Sequence, residues 1–232
     1  MLESTLSRVD RLTVISEKEK AKVKKLLKEA AEEFRAVSEK VKKDNTQLAE
    51  FFYKKATQLK TESVDKNIEK SGKKSYIQAV KRMNLYSKSA IYDFDPDKLK
   101  ELKKSYRTYI FGMTSFFILA GIYMSQIMAI TALILAIPIV LSMLSLQKRG
   151  YMGLLLAFSA VPIPILQGVM ALTYGLRAIE NPELVSKIAQ TMGKSTSFVH
   201  GYLVVMIVLS AVELYLIITG IYMLYKHRHA FL

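Results

Sequence analysis

Long uncharged stretches dominate the second half of the chain. No charged residue occurs between residues 108 and 147. As a single helix, this run would be about twice as long as the roughly 30 Å of a bilayer's hydrocarbon core. The run therefore predicts two membrane spans, at about 106–124 and 127–147, joined by a turn near Tyr123–Gln126.

Two further apolar segments follow, at about 151–174 and 199–225. They bring the predicted count to four transmembrane helices. The segment between them carries the signals of a short helix over about 182–192: Asn181 can cap it, Pro182 suits its first position, and Gly193 can end it. We expect this helix to lie on the outer membrane surface.

The first half of the chain shows a helical rather than a membrane pattern. Ser16 and Glu19 form a capping box, and the apolar positions after it alternate at spacings of four and three. The sequences "KKDNTQ" and "KSGKK" interrupt the pattern, so further helices are predicted from about Thr46 and Ser75. The three apolar faces are Val23, Leu27, Ala30, Phe34, Val37 and Val41; Leu48, Phe52, Ala56 and Leu59; and Tyr76, Val80, Met83 and Ala90.

These faces predict an all-α protein whose N-terminal domain, residues 1–95, is a helical hairpin, coiled coil or small bundle. Residues 96–232 then form the four-helix transmembrane domain. Asp95 and Pro96 are typical of a helix start, and nothing interrupts the helical pattern between Pro96 and the first span. We therefore expect one continuous helix to join the two domains.

Charge divides the chain in the same place. Residues 1–107 hold 27 of the 34 Lys and Arg and 17 of the 20 Asp and Glu. The chain has no cysteine, which excludes disulfides and thiolate metal sites. The cysteine-free, Lys- and Glu-rich composition is typical of a thermophilic prokaryote.

Lysines alternate with glutamates and form no aromatic-studded basic stripe, so nucleic acid is not an expected partner.

Lysine and arginine near the span ends predict the orientation. Nine lysine and arginine residues flank the span ends on the side of the two termini, and three flank the span ends on the opposite side. The positive-inside rule therefore predicts a plasma-membrane protein with both termini in the cytoplasm. The residues before the first span are expected to bind anionic lipid headgroups: Lys98, Lys100, Lys103, Lys104 and Arg107.

One carboxylate, Glu213, lies at the middle of the fourth span, within "VLSAVELYLIIT". A charge at this depth costs about 2.5–3.5 kcal/mol by insertion measurements. Prolines at 138, 162 and 164 lie near the middle of the second and third spans, and each leaves a carbonyl four residues earlier without its helical donor. Candidate residues for an ion or proton site are therefore Glu213, Ser210, Gln167, Ile134, Phe158 and Ala160.

Helical spacing predicts that one stripe on each span faces a shared interior. The alternative is that Glu213 is a protonated, hydrogen-bonded structural residue and that the prolines only kink their helices. The stripes are Thr114, Ile118, Gly121 and Ser125; Thr131, Leu135, Pro138, Ser142 and Ser145; Ala160, Pro164, Gln167, Ala171 and Tyr174; and Tyr202, Met206, Ser210, Glu213, Ile217 and Gly220.

No catalytic set is visible. His200, His227 and His229 lie at the ends of the predicted spans, and no phosphate-binding loop, dinucleotide-binding turn or zinc-protease motif occurs. The chain is therefore not expected to be an enzyme, and no cofactor or metal is implied.

Two functions remain. The first is a small oligomeric channel or transporter for cations or protons, with Glu213 as its site. The second is a membrane-anchored scaffold or insertase-like assembly factor. It would bind a helical partner, or a second copy of the chain, through residues 16–70. In that case the apolar seam from Val23 to Val41 should pair with another chain.

Overall fold

The computed structural model describes residues 1–122 and 126–232, and within these ranges it is helical with no strand. The first three residues of the predicted turn near Tyr123–Gln126 lie outside the described residues. The chain forms two compact units, residues 1–101 and 102–231. The sequence predicts a division at 95/96, and a helix begins at Pro96.

The N-terminal unit contains five complete helices and the start of a sixth. Ser16 caps the second helix as predicted, because its Oγ accepts from the Glu19 amide at 3.4 Å and its own amide donates to Glu19 Oε2 at 2.9 Å. Gly72 has a φ of 88°, a left-handed conformation that glycine adopts without strain, and it separates the fourth and fifth helices. The helices are α1 (Leu2–Val9), α2 (Glu17–Glu39), α3 (Thr46–Glu62), α4 (Asp65–Ser71), α5 (Lys73–Phe94) and α6 (Pro96–Ile122).

The apolar seam of α2 forms the core of this unit. Val23, Leu27 and Ala30 are fully buried, and they belong to one apolar cluster with side chains of α1, α3, α4 and α5. The structure therefore supports the small bundle and does not confirm the coiled coil. Helix α1 was not expected from the sequence, and its buried Leu2 and Val9 belong to the same cluster.

The C-terminal end of the seam differs from the prediction. Phe34 is only half-buried, and Val41 is 47% exposed. Phe34 lies beside two apolar clusters and packs against Phe52, with ring centroids 5.2 Å apart. Helix α2 ends at Glu39, which leaves Val41 in the connection to α3, where no facing helix covers it.

Asp65, the first residue of α4, ties the segment after α1 to the bundle. Its carboxylate accepts hydrogen bonds from the Thr13 amide at 2.9 Å, the Thr13 hydroxyl at 2.8 Å and the Val14 amide at 3.1 Å. These bonds, above all the one from the Thr13 hydroxyl, hold the pKa of Asp65 below its usual value because they favour the charged carboxylate.

The second unit contains the membrane-type helices. The third predicted span is broken at Val161, next to Pro162, which cannot donate a helical hydrogen bond. The helices after α6 are α7 (Gln126–Gln147), α8 (Tyr151–Ala160), α9 (Pro162–Ile179), α10 (Pro182–Met192) and α11 (Thr196–Lys226), followed by a 3-10 turn (Arg228–Ala230).

Three helical segments of the described residues are long and apolar enough to cross a membrane: Gln126–Gln147, Tyr151–Ile179 and Thr196–Lys226. The apolar end of α6 is not among them, so the predicted count of four spans is not confirmed. The short helix α10 is confirmed as an element. Asn181 Oδ1 accepts from the Glu183 and Leu184 amides, and Gly193 ends the helix with a φ of 61°.

Close approaches at glycines define which residues of the membrane-type helices lie opposite each other. A Cβ added at Gly220 would lie 2.8 Å from the Tyr109 nitrogen, and one at Gly112 would lie 2.8 Å from Ile217 Cγ1. Helices α6 and α11 are therefore antiparallel and in contact. Corresponding contacts join α9 to α11, at Gly168 against Leu214 and Gly175 against Ile207, and α8 to α7, at Gly153 against Leu146.

Candidate functional site

Glu213 lies on the inner face of α11. Five of the six residues of the predicted stripe are buried, namely Met206, Ser210, Glu213, Ile217 and Gly220, and the sixth, Tyr202, is partly buried. The Glu213 side chain has no solvent exposure at all. In a membrane protein, an acid on the inner face of a bundle is a candidate functional site because burial of its charge is costly.

Both carboxylate oxygens of Glu213 lack a hydrogen-bond partner within residues 1–122 and 126–232, and so does Oε1 of Gln167. Gln167 is 1% exposed, and its Nε2 donates to the Phe116 carbonyl at 3.4 Å. A buried acceptor without a donor costs about 1–3 kcal/mol, and more when the group is charged. These three oxygens are therefore the least satisfied part of the second unit.

Three helices meet at this point. On α9, a Cβ added at Gly168 would lie 3.5 Å from Glu213 Oε2, which places the residue after Gln167 against the carboxylate. On α6, Gly112 lies opposite Ile217, and one helical turn further along both helices brings Phe116 opposite Glu213. The site is therefore built by Glu213 of α11, Gln167 of α9 and the backbone of α6 at Phe116.

Ser210, a predicted member of the site, lies on the same stripe one turn from Glu213. It is fully buried, and its hydroxyl donates to the Met206 carbonyl of its own helix at 2.6 Å. This hydrogen is already used, so Ser210 does not supply the donor that the Glu213 oxygens lack.

Two of the proline-freed carbonyls, those of Phe158 and Ala160, lie at a different level of the bundle from Gln167. Ala160 and Phe158 precede Gln167 by about two turns, which corresponds to roughly 10 Å along the helix axis. The Ile134 side chain is 66% exposed on α7. Extending the register from the contact of Gly153 with Leu146 brings Pro138 opposite Val161, so the prolines share a level with each other. The structure therefore does not bring the carbonyls of Phe158 and Ala160 to Glu213.

A hydrogen-bonded pair that the sequence did not indicate lies closer to the proline level. The Tyr109 hydroxyl of α6 is 2.9 Å from Ser142 Oγ of α7. Ser142 Oγ donates to the Ile139 carbonyl at 2.7 Å, so Tyr109 is the donor to Ser142. Tyr109 also lies beside Gly220, two turns along α11 from Glu213. Ser142 was on the predicted inner stripe, but no sequence signal identified its partner.

The predicted inner face of the first span is wrong. Thr114, Ile118 and Gly121 are exposed, and Ser125 lies outside the described residues. The buried face consists of Tyr109, Gly112, Met113, Phe116, Leu119 and Ala120. The Thr114 hydroxyl donates to the Ile110 carbonyl of its own helix at 3.0 Å, so it is satisfied without a neighbouring helix.

The predicted inner stripe of the third segment agrees with burial at four of its five positions, and that of α7 at two of five, since Thr131, Pro138 and Ser145 are only partly buried. Leu135 and Ser142 of α7 are buried, and so are Ala160, Pro164, Gln167 and Ala171 of the third segment. Tyr174 is an exception at 43% exposed.

The predicted lipid-binding residues all lie on α6. Lys100, Lys103, Lys104 and Arg107 are exposed, whereas Lys98 pairs with Glu101 at 2.9 Å. Within the described ranges, no group of three His, Cys, Asp or Glu side chains is arranged to hold a metal ion.

No family model, no curated protein and no solved structure matches this chain.

Proposed function

We propose that this chain is a small polytopic membrane protein that moves protons or cations across the bilayer, with Glu213 as the carboxylate that holds the transported species. The observation that carries the proposal is the buried Glu213 carboxylate. Its two oxygens have no hydrogen-bond partner in the described structure, and Oε2 lies against Gly168, the residue after Gln167. The proposal includes assembly into a homo-oligomer, as expected from the sequence.

A purely structural role explains these oxygens less well. A structural buried carboxyl group is normally held by donors from neighbouring helices, because an unsatisfied polar group in hydrocarbon is destabilising. Glu213 Oε2 instead lies 3.5 Å from the position that a Cβ at Gly168 would take, and neither carboxylate oxygen has a donor among the described residues. An arrangement that leaves the acid short of donors is expected where a proton or cation supplies the missing partner.

The proposed topology has four spans, with the apolar part of α6 as the first, and both termini in the cytoplasm. The distribution of lysine and arginine supports it, since nine basic residues flank the ends assigned to the cytoplasm. In this arrangement α10 lies at the outer surface, and the exposed Lys100, Lys103, Lys104 and Arg107 face anionic headgroups of the inner leaflet.

The absence of cysteine makes the topology directly testable. Single cysteines at Ser38 and Ser195, which are both exposed, should react with a membrane-impermeant thiol reagent from opposite sides of sealed vesicles. Ser38→Cys should label only when the cytoplasmic face is accessible, and Ser195→Cys only from the other face. Labelling of both positions from the same side would exclude this topology.

The function is tested by flux into proteoliposomes that contain the purified full-length protein. An applied potential or pH gradient should drive a flux of protons or cations above that of empty vesicles. Glu213→Gln should reduce the flux to the background because it keeps the shape of the side chain but removes its ability to bind and release a positive species. The melting temperature should change little.

Glu183→Gln is the matched control, since it makes the same chemical change at an exposed position of α10. It should leave the flux unchanged. Absence of any flux through the unmodified protein would rule out transport. A flux that persists in Glu213→Gln would show that transport uses a different site.

A scaffold role is the second candidate, and an open apolar groove on the N-terminal unit favours it. The groove has a volume of about 320 Å³ and is lined by Phe34, Phe52, Tyr53 and Ala56, among others. Tyr53 is 63% exposed there. The seam of α2 is already used inside the bundle, so a helical partner would contact this groove instead. In this case Tyr53→Asp should abolish association with the partner, and Glu213→Gln should have no effect.

A further inference from the structure

We propose that the species held at Glu213 is the proton itself, carried as a neutral carboxyl group with Gln167 Oε1 as the acceptor of its hydrogen, and not a metal cation. This inference rests on the proposed function, because it names the transported species at the same site. It follows from which atoms of the site are donors, which are acceptors, and which of them are already used.

The unpartnered atoms of the site are all oxygens. Glu213 contributes two and Gln167 one. The neighbouring donors are used elsewhere, since Gln167 Nε2 donates to Phe116 and the Ser210 hydroxyl donates to Met206. The site therefore contains acceptors without a donor. A single hydrogen on Glu213 turns one of these acceptors into a donor and gives Gln167 Oε1 a partner.

A metal cation fits this set of atoms poorly. A cation that enters a dry site must exchange its hydration shell for protein oxygens, and hard divalent cations take six to eight of them. The three unpaired oxygens come from only two side chains. The carbonyls of Phe158 and Ala160 lie about two turns of helix away from Gln167, so they do not complete the coordination shell.

The surroundings also contain no charge that would favour an ionised carboxylate. On α9, Gly168 lies against Glu213, and the preceding residue Gln167 donates to the Phe116 carbonyl of α6. The nearest titratable side chain on the buried face of α6 is Tyr109, two turns away. Among the described residues of the second unit, the other buried titratable side chains are Tyr109 and His227, and His227 follows the end of α11. No lysine or arginine there is buried.

Transport in the proposed form needs Glu213 to bind a proton from one side and release it to the other, with no covalent change other than the O–H bond of the carboxyl group. The proton that enters as hydronium leaves its water on one side and is returned to water on the opposite side. The step conserves charge because one positive charge crosses for each proton.

The first experiment distinguishes a proton from a metal cation as the transported species. Proteoliposomes with the full-length protein are given an inward gradient of protons, of sodium or of rubidium as a potassium analogue. Proton entry is followed with an internal pH dye and the metal ions with radioactive tracers. We expect proton entry at least tenfold above that of empty vesicles, and tracer entry equal to that of empty vesicles.

The outcomes are distinct. Sodium or rubidium entry that is lost in Glu213→Gln would overturn the proton assignment and leave the transport proposal intact. No entry of any of the three ions would overturn both. Proton entry that survives Glu213→Gln would overturn the assignment of Glu213.

The second experiment requires no activity. The infrared spectrum of the full-length protein at pH 7 should contain the carbonyl band of one protonated carboxylic acid. The band should disappear in Glu213→Gln and remain in Glu183→Gln. In Gln167→Leu it should shift to higher frequency, because the carboxyl hydrogen loses its acceptor. A difference spectrum between the unmodified protein and Glu213→Gln that shows an ionised carboxylate would overturn the proposal.

Discussion

Gly220→Ala should destabilise the second unit by about 1–3 kcal/mol, the usual effect of forcing an extra methyl group into a packed interior. The new Cβ would lie 2.8 Å from the Tyr109 nitrogen and 2.9 Å from its Cα. These are backbone atoms of a helix, so no side-chain rotation relieves the overlap and α6 has to move away from α11. The shift should also lengthen the Tyr109–Ser142 hydrogen bond. Thermal unfolding of the purified protein in detergent measures the effect.

Gly201→Ala on the same helix is the control. A Cβ at Gly201 would meet no atom within 4 Å. The substitution should therefore be neutral or stabilise the protein by up to about 1 kcal/mol, since alanine favours a helix more than glycine does. Equal melting temperatures of the two variants would contradict the close contact between α6 and α11.

Leu27→Ala should destabilise the N-terminal unit by about 2–5 kcal/mol, the range measured for large-to-small substitutions in cores. Leu27 has no exposed surface, and it belongs to the cluster that joins α2 to the other helices of this unit. Truncation leaves a cavity that the surrounding helices cannot fill without moving. Because this part of the chain is rich in lysine and arginine, the rate of digestion by trypsin reports its opening, and it should rise in Leu27→Ala.

Leu85→Ala makes the same chemical change at a position that is 44% exposed on α5. It should alter the digestion rate far less. A digestion rate of Leu27→Ala equal to that of Leu85→Ala would mean that the seam of α2 does not form the core. Phe34 is half-buried, so its truncation is expected to cost less than that of Leu27.

The internal use of the α2 seam bears on the choice between the two functions. A heptad pattern does not say whether the covering helix comes from the same chain or from another. Here α1, α3, α4 and α5 cover it, and Val23 and Leu27 have no surface left for a partner. A scaffold role would therefore depend on the open groove beside Phe34 and Tyr53.

Local signals predicted the helix boundaries well. Ser16, Asn181 and Gly193 act through hydrogen bonds or backbone conformations of residues near them in the chain, and each lies at a helix end in the structure. The inner stripes of α9 and α11 were also predictable, because small and polar residues recur on them at helical spacing. Such features depend on the chain within a few residues, which is why the sequence alone contains them.

Which residues of different helices lie opposite each other could not be predicted from the sequence in the same way. Glu213 and the proline-freed carbonyls were expected at one depth. The register set by Gly168 and Gly112 instead brings Phe116 opposite Glu213 and leaves the carbonyls of Phe158 and Ala160 about two turns from Gln167. The predicted inner face of α6 was wrong, because Thr114, Ile118 and Gly121 are exposed there. The face that packs is set by the neighbouring helices, which contact α6 at Gly112 and Phe116.

The sequence by itself therefore determined that the chain is helical, that its second half is of membrane type, and that one acid lies within an apolar helix. Helical periodicity, charge distribution and capping are local properties, and they follow from the order of residues. The tertiary structure decided which residues surround that acid. The distance between two helices depends on where a glycine allows their backbones to touch. Such a contact is made by two facing residues, such as Gly220 and Tyr109, that are far apart in the sequence.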